Sequence, residues 1–193
     1  MSKEILSALS GILIIAAFVP LIISVVWRGY RPPRSSWIIW AVMDGIIMAG
    51  MWQSHTLNGQ IIGANIGVWV AILAIFKYGT PGWTKSQILQ IVLAGVGIVL
   101  WKVLGSSSIG ILTGCGVLFL GAWETFVDAW RNPDGQKDTL SRVAWTLFWL
   151  SCIPGTLSVS NWTLNEAGQP LMFLFIESTM MYLIFVRPMF LKK

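Results

Sequence analysis

Trp27-Arg28-Gly29-Tyr30-Arg31-Pro32-Pro33-Arg34-Ser35-Ser36-Trp37-Ile38-Ile39-Trp40 is the stretch whose reading decides the fold. A Trp-Arg pair closes one apolar run, a basic proline-rich loop follows, and Trp37 and Trp40 open the next. About a hundred residues later the phrase returns as Trp130-Arg131, the polar loop Asn132-Pro133-Asp134, then Trp145 and Trp149. Each phrase lies between two apolar segments and a third segment follows each. Self-similarity at that period predicts two three-helix units in tandem.

Working outward, the composition sets the solvent. Of 193 residues, 55% are apolar and 11% charged, too few charges for a soluble domain of this length. The net charge of +5 comes from loops, and no nucleic-acid motif interrupts the apolar runs. Cys115 and Cys152 fall inside predicted spans, which argues against a disulfide framework. The first apolar run is too long for a secretion signal and lacks a small-x-small cleavage site before Trp27, so it is read as a span.

Apolar stretches of membrane-spanning length fall at 5–27, 36–52, 61–78, 86–101, 109–130, 143–159 and 170–186. Tryptophans at many of their ends fit an interfacial belt. Basic residues then orient the chain. Arg28, Arg31 and Arg34 occupy the first loop, Lys77 and Lys85 the third, and Arg131, Lys137 and Arg142 the fifth; Arg187, Lys192 and Lys193 follow the last span. The opposite side holds Lys3 and Lys102. This asymmetry predicts the N-terminus outside and the C-terminus in the cytoplasm. An odd-numbered unit inverts orientation, so a linker helix is needed to make two such units parallel. The expected fold is all-α: a first unit at 1–80, a linker helix at 81–107 and a second unit at 108–193.

Pro20, the basic hairpin loop and Ser36-Trp37 together resemble the proline-containing loop of the PQ-loop and SWEET superfamily. Arg31 to Trp40, Lys77-Tyr78-Gly79 with Gly82-Trp83-Thr84-Lys85, and Ala129-Trp130-Arg131-Asn132-Pro133 look like bacterial seven-helix PQ-loop-like membrane proteins. The resemblance implies the 3+1+3 layout, alternating access around a midplane site, and a bacterial cytoplasmic membrane. In sugar-transporting relatives prolines act as hinges; Pro20 and Pro154 stand in that role here, with Gly45 near the position matching Pro154. Those relatives also place an asparagine in the third helix of each unit, facing the substrate. Asn65 matches it in the first unit, and the nearest polar residue in the last span is Glu177. The chain departs from the pattern with Leu21 in place of the glutamine after the first proline, and with Glu124-Thr125 where the second proline is expected. These departures count against a sugar.

Four of the eight acidic residues, Asp44, Glu124, Asp128 and Glu177, fall within predicted spans. No Lys or Arg lies in mid-span to pair with them. An intramembrane carboxylate is costly and commonly faces a cavity, a polar partner or water. Such a set suits a proton- or cation-linked solute site, whereas Asp128, near the interface, also reads as a solvated surface group. Asn65 either reads a ligand or hydrogen-bonds a neighbouring helix. Gly63 and Gly67 around it, like Gly110 and Gly114, have the small-xxx-small spacing of close helix packing. Pro20 and Pro154 read as hinges or as static kinks. Trp69 and Trp123 lie off the belt, where they stack on a ligand or pack against core or lipid.

His55 stands alone, so no metal site is expected, and no catalytic set or cofactor motif is found. The leading expectation is a transporter of a small polar solute, its site lined by Asn65, Glu177, Asp44, Trp69 and Glu124. The partners are that solute and membrane lipid, not nucleic acid, and the chain acts as a monomer or homodimer. A non-transporting binding or assembly protein or receptor is the alternative, since fold alone does not assign function. An acid-dependent intramembrane cyclase is a third. A retinal protein is disfavoured because 170–186 holds no Lys for a Schiff base.

Overall fold

The computed structural model describes residues 1–131 and 138–191. Asn132, Pro133, Asp134, Lys137, Lys192 and Lys193, used above, lie outside them. Among the described residues the chain is helical: α1 Lys3–Trp27, α2 Arg34–Gln53, α3 Gly59–Tyr78, α4 Lys85–Leu104, α5 Ser107–Arg131, α6 Thr139–Leu157 and α7 Leu164–Met181. A π-helical turn, Tyr182–Val186, carries α7 into α8, Arg187–Leu191. Six helices, α1 to α5 and the run Leu164–Phe190, are long and apolar enough to cross a membrane. The chain is a helical integral membrane protein. Helix α6, with Ser141 and Arg142 in its first turn, falls below that apolarity.

Local chemistry sets the helix ends. Ser2 Oγ accepts from the Ile5 amide and Asn58 Oδ1 from the Ile61 amide, each satisfying a donor left free at a helix start. Thr84 and Gln87 close a reciprocal capping box on α4. Gly105, at φ 65°, takes the left-handed turn that ends that helix. His55 ends α2 in the same region at φ 56°, which gives the lone histidine a structural place.

One boundary differs clearly from the sequence reading. The last long helix starts at Leu164, and Pro170 lies inside it rather than at its start. Leu164-Asn165-Glu166-Ala167-Gly168-Gln169 is too polar to register as membrane-spanning, yet it is helical. Hydropathy marks the part of a helix that lipid surrounds, and not where its hydrogen-bond ladder begins. Helix α6 correspondingly stops at Leu157, short of the expected 159.

Helix α1 packs on α3 and α6, α2 on α3 and α5, and α7 on α5 and α6. Helix α4 rests on α5 and more lightly on α2. Its Ile88, Leu89, Val92, Val96 and Val99 are exposed, as a lipid-facing surface requires. Glycines permit the closest approaches. A Cβ at Gly63 would lie 2.5 Å from the Gly11 carbonyl oxygen of α1, and one at Gly67 would enter the Phe18 ring. Gly110 abuts Trp101 of α4, and Gly114 abuts Ile47 of α2. All four glycines of the small-xxx-small pairs are therefore packing positions. Cys115 and Cys152 are free and buried.

At one end of the bundle a buried polar cluster ties the helices together. Ser10 Oγ donates to the Ser151 carbonyl at 2.6 Å, joining α1 to α6. Gln169 Nε2 donates to Gln60 Oε1 at 3.2 Å, joining α7 to α3. Gln60 Nε2 reaches Ser151 Oγ and Cys152 Sγ, each at 3.4 Å. Asn58 Nδ2 donates to Gln169 Oε1 at 3.0 Å. Around this cluster, Thr56 Oγ1 donates to the Asn165 carbonyl, and Lys3 Nζ donates to the carbonyls of Leu157 and Val159. Ser10, Gln60, Ser151 and Gln169 are fully buried. Each is tolerated there because its polar atoms find partners.

Two stability outcomes follow from this packing. Gly63→Ala should lower unfolding stability by ~1–3 kcal/mol through overpacking. Gly95→Ala, which meets nothing within 4 Å, should leave stability unchanged or raise it; unfolding in detergent separates the two. Gln60→Leu and Gln169→Leu should each cost ~1–3 kcal/mol by orphaning buried partners. The double variant should cost less than the sum, and an additive cycle would contradict the coupling.

Candidate functional site

A cavity of about 570 Å³ lies among the seven long helices. Ile14, Ala64 and Phe173 line its deep end. Each sits four residues, about one helical turn, beyond Ser10, Gln60 and Gln169 on its own helix. The polar cluster thus forms the layer directly beneath the cavity floor. At the other end the lining passes to Tyr30, Pro33 and the exposed loop residues Thr80, Pro81, Gly82 and Trp83. The cavity is sealed at one end and reaches the surface at the other. Hydrogen bonds at that loop end are of a different kind. Ser35 Oγ and Ser36 Oγ both bond Gln87, and Thr80 pairs with Pro32 and Arg34 through backbone groups. These tie α2 to the start of α4 and to the loop before it, and on the other side of the mouth Ser24 Oγ of α1 donates to Asp138 Oδ2 at 3.1 Å.

The walls carry four carboxylates, Asp44, Glu124, Asp128 and Glu177, and no Lys or Arg belongs to the lining among the described residues. Asp44, on α2, is 6% exposed, and its Oδ1 is buried without a hydrogen-bond partner. Glu177, on α7, is half-buried, with Oε2 likewise buried and without a partner. Trp40 Nε1 is in the same position. Trp40 Nε1 lies against Gly121 of α5. Unmet buried polar atoms are costly, so the carboxyl groups of Asp44 and Glu177, both in the cavity lining, mark a place where a ligand or water completes the bonding. Glu124 is partly buried; Asp128 is exposed toward the mouth, where water reaches it.

Aromatic rings form a continuous chain around the same space. Trp40 lies 5.3 Å from Trp37, Trp37 lies 6.4 Å from Phe18, Phe18 lies 5.0 Å from Phe148, and Phe148 lies 6.0 Å from Trp145. All five rings line the cavity. They come from α1, α2 and α6, so only the packed bundle assembles them.

The structure brings together three of the five expected site residues: Asp44, Glu124 and Glu177. It does not bring Asn65 or Trp69 to the cavity. Ala64 and Val68 are the α3 residues that line it. Asn65, one position on, is rotated about 100° around the helix and points to α2, its Nδ2 3.7 Å from where a Cβ of Gly45 would stand. That Nδ2 has no hydrogen-bond partner. Trp69 is 50% exposed on the outside of α3, facing lipid, and Trp123 is exposed as well. Pro20 and Pro154 are buried within α1 and α6. No group of three or more metal-ligating side chains occurs among the described residues.

The sequence reading missed the aromatic chain and the glutamine layer. Trp37, Trp40 and Trp145 were assigned to the interfacial belt. A usable signal was present, because Trp37, Trp40 and Asp44 are spaced i, i+3, i+7 and so share one helix face. Gln60-Ala64-Val68 and Gln169-Phe173-Glu177 repeat one i, i+4, i+8 pattern on α3 and α7. No protein-family model, curated protein or solved structure matches the chain.

Proposed function

We propose that the protein is a small polar-solute transporter of SWEET-like type, held in a bacterial cytoplasmic membrane. In this reading α1–α3 and α5–α7 are two parallel three-helix units, residues 1–80 and 108–193, and α4 within 81–107 is the linker. The helix neighbours support it. The contacts α1–α3 and α2–α3 recur as α5–α7 and α6–α7, and the contacts α1–α6 and α2–α5 exchange under the same shift of four helices. That is the pattern of two like units related by a rotation. The basic loops support a cytoplasmic position for the cavity mouth in this reading.

The observation that carries the function is a cavity lined by Asp44 and Glu177, whose buried oxygens lack partners, sealed by hydrogen bonds at one end and reaching the surface at the other. Alternating access needs a site at the interface of two units and a closure that can be exchanged from one side to the other. The Ser10–Ser151 and Gln60–Gln169 bonds run between the units and form the closure in this state. Rocking about Pro20 and Pro154 breaks that layer and brings α5 and α6 onto α1 and α2 at the mouth. The closure is hydrogen-bonded rather than a large apolar contact. Its breaking can therefore be offset by water entering the opened end.

Two experiments test this reading. After Cys115 and Cys152 are replaced by Ala, a cysteine at Thr125 should react with a membrane-impermeant thiol reagent added at the cytoplasmic face and resist the same reagent added outside. Labelling from outside alone would overturn the orientation. In proteoliposomes, radiolabelled glucose, alanine and tetraethylammonium should be compared with protein-free vesicles. Flux of at least one should exceed the control several-fold and fall about tenfold or more in Glu177→Gln. No flux of any would defeat transport in favour of a binding or assembly role.

A further inference from the structure

The charge pattern of the cavity is one-sided. Four carboxylates line it, with no basic side chain among the described lining residues. The arginines near its mouth are turned elsewhere. Arg31 lies over the Tyr78 ring at 5.6 Å, Arg142 over Phe185 at 5.5 Å, and Arg187 over Trp130 at 3.9 Å. None of those three arginines, nor Arg34, reaches the lining. An anionic solute would meet repulsion there. A zwitterion such as an amino acid would bring its own carboxylate among four others, with no Lys or Arg among the described lining residues to pair with it. A neutral sugar would satisfy the oxygens but leave their charge uncompensated away from water.

An organic cation meets the charge and the apolar surface of these walls. Its charge supplies what the partnerless Asp44 and Glu177 oxygens lack. Its alkyl groups take the faces of Trp40, Trp37, Phe18, Phe148 and Trp145, where ring quadrupoles attract a cation and flat apolar surface accepts carbon. Asp44 stands one turn from Trp40 on α2, so charge and ring are offered from one helix face. We propose that the cavity binds an organic ammonium cation lacking a carboxylate, an amine or a quaternary ammonium, against Asp44 and Glu177 and the aromatic chain. The proposal rests on the transport reading only in taking the cavity as a solute site.

The test is equilibrium dialysis of radiolabelled tetraethylammonium against the purified full chain in detergent, paired with flux of the same probe in proteoliposomes. Saturable binding is expected, displaced by choline and not by glucose or alanine. Asp44→Asn and Glu177→Gln should each weaken it about tenfold or more. Trp40→Leu should weaken it without altering the charge. Gel filtration and thermal melting should show each variant folded; a variant that is not is set aside and the other two decide. Binding without flux would uphold the cation site and overturn transport. Saturable binding of glucose or alanine with none of tetraethylammonium would overturn the cation class while leaving a solute site standing. Tetraethylammonium binding that all folded variants retain unchanged would overturn the site, and no binding of any probe would overturn both readings.

Discussion

The hydrogen-bonded layer of Ser10, Gln60, Ser151 and Gln169 is the constraint on which the rest of the arrangement depends. Lipid offers no hydrophobic drive to press helices together, so close fit and polar bonds must do it. Here α1 is held to α6 and α7 to α3 by side chains with no access to water. Those bonds fix the depth at which the helices separate, and one turn beyond them the walls open into the cavity. Glycines on the same helices make this possible. Gly63 brings α3 against the backbone of α1, and Gly155 lies directly against the Gln60 side chain, so the amide has no room to swing out of the layer.

Above that layer the cavity shows the opposite economy of polar groups. The glutamines beneath are satisfied by one another, whereas Asp44 Oδ1, Glu177 Oε2 and Trp40 Nε1 have no partner. Both sets are buried in the same bundle, only a few turns apart. Burying a polar atom without a bond is unfavourable wherever water is excluded, and at Asp44 and Glu177 that cost falls on residues that line the cavity. A satisfied network rigidifies. An unsatisfied carboxyl group in a cavity wall waits for a partner.

The helices were legible because lipid imposes a coarse rule on composition. About twenty apolar residues are needed for each crossing, and six of the seven expected runs are helices long and apolar enough for one. The rule reads chemistry and not geometry, so it missed the polar first turns of α7 and took Pro170 for a boundary. It also favoured Asn65 for the site. That choice depended on helical phase, which is set by the neighbours of α3 and not by α3 itself. With Ala64 and Val68 turned to the cavity, Asn65 must face α2. Asp44, Glu124 and Glu177 were legible because an intramembrane carboxylate has few tolerable surroundings.

Apolar run length, loop charge and the twofold recurrence of the Trp-Arg phrase are properties of the chain alone. From them the sequence by itself determined an all-helical membrane protein, its approximate spans and its buried acids. Which wall each acid lines was decided only by tertiary structure, as was the gathering of Phe18, Trp37, Trp40, Trp145 and Phe148 into one surface. Those rings lie on three helices far apart in sequence, and no local pattern records how separate helices rotate against each other. The pairing of Gln60 with Gln169, more than a hundred residues distant, arose in the same way. Local chemistry sets what a helix is made of, and packing sets where it points.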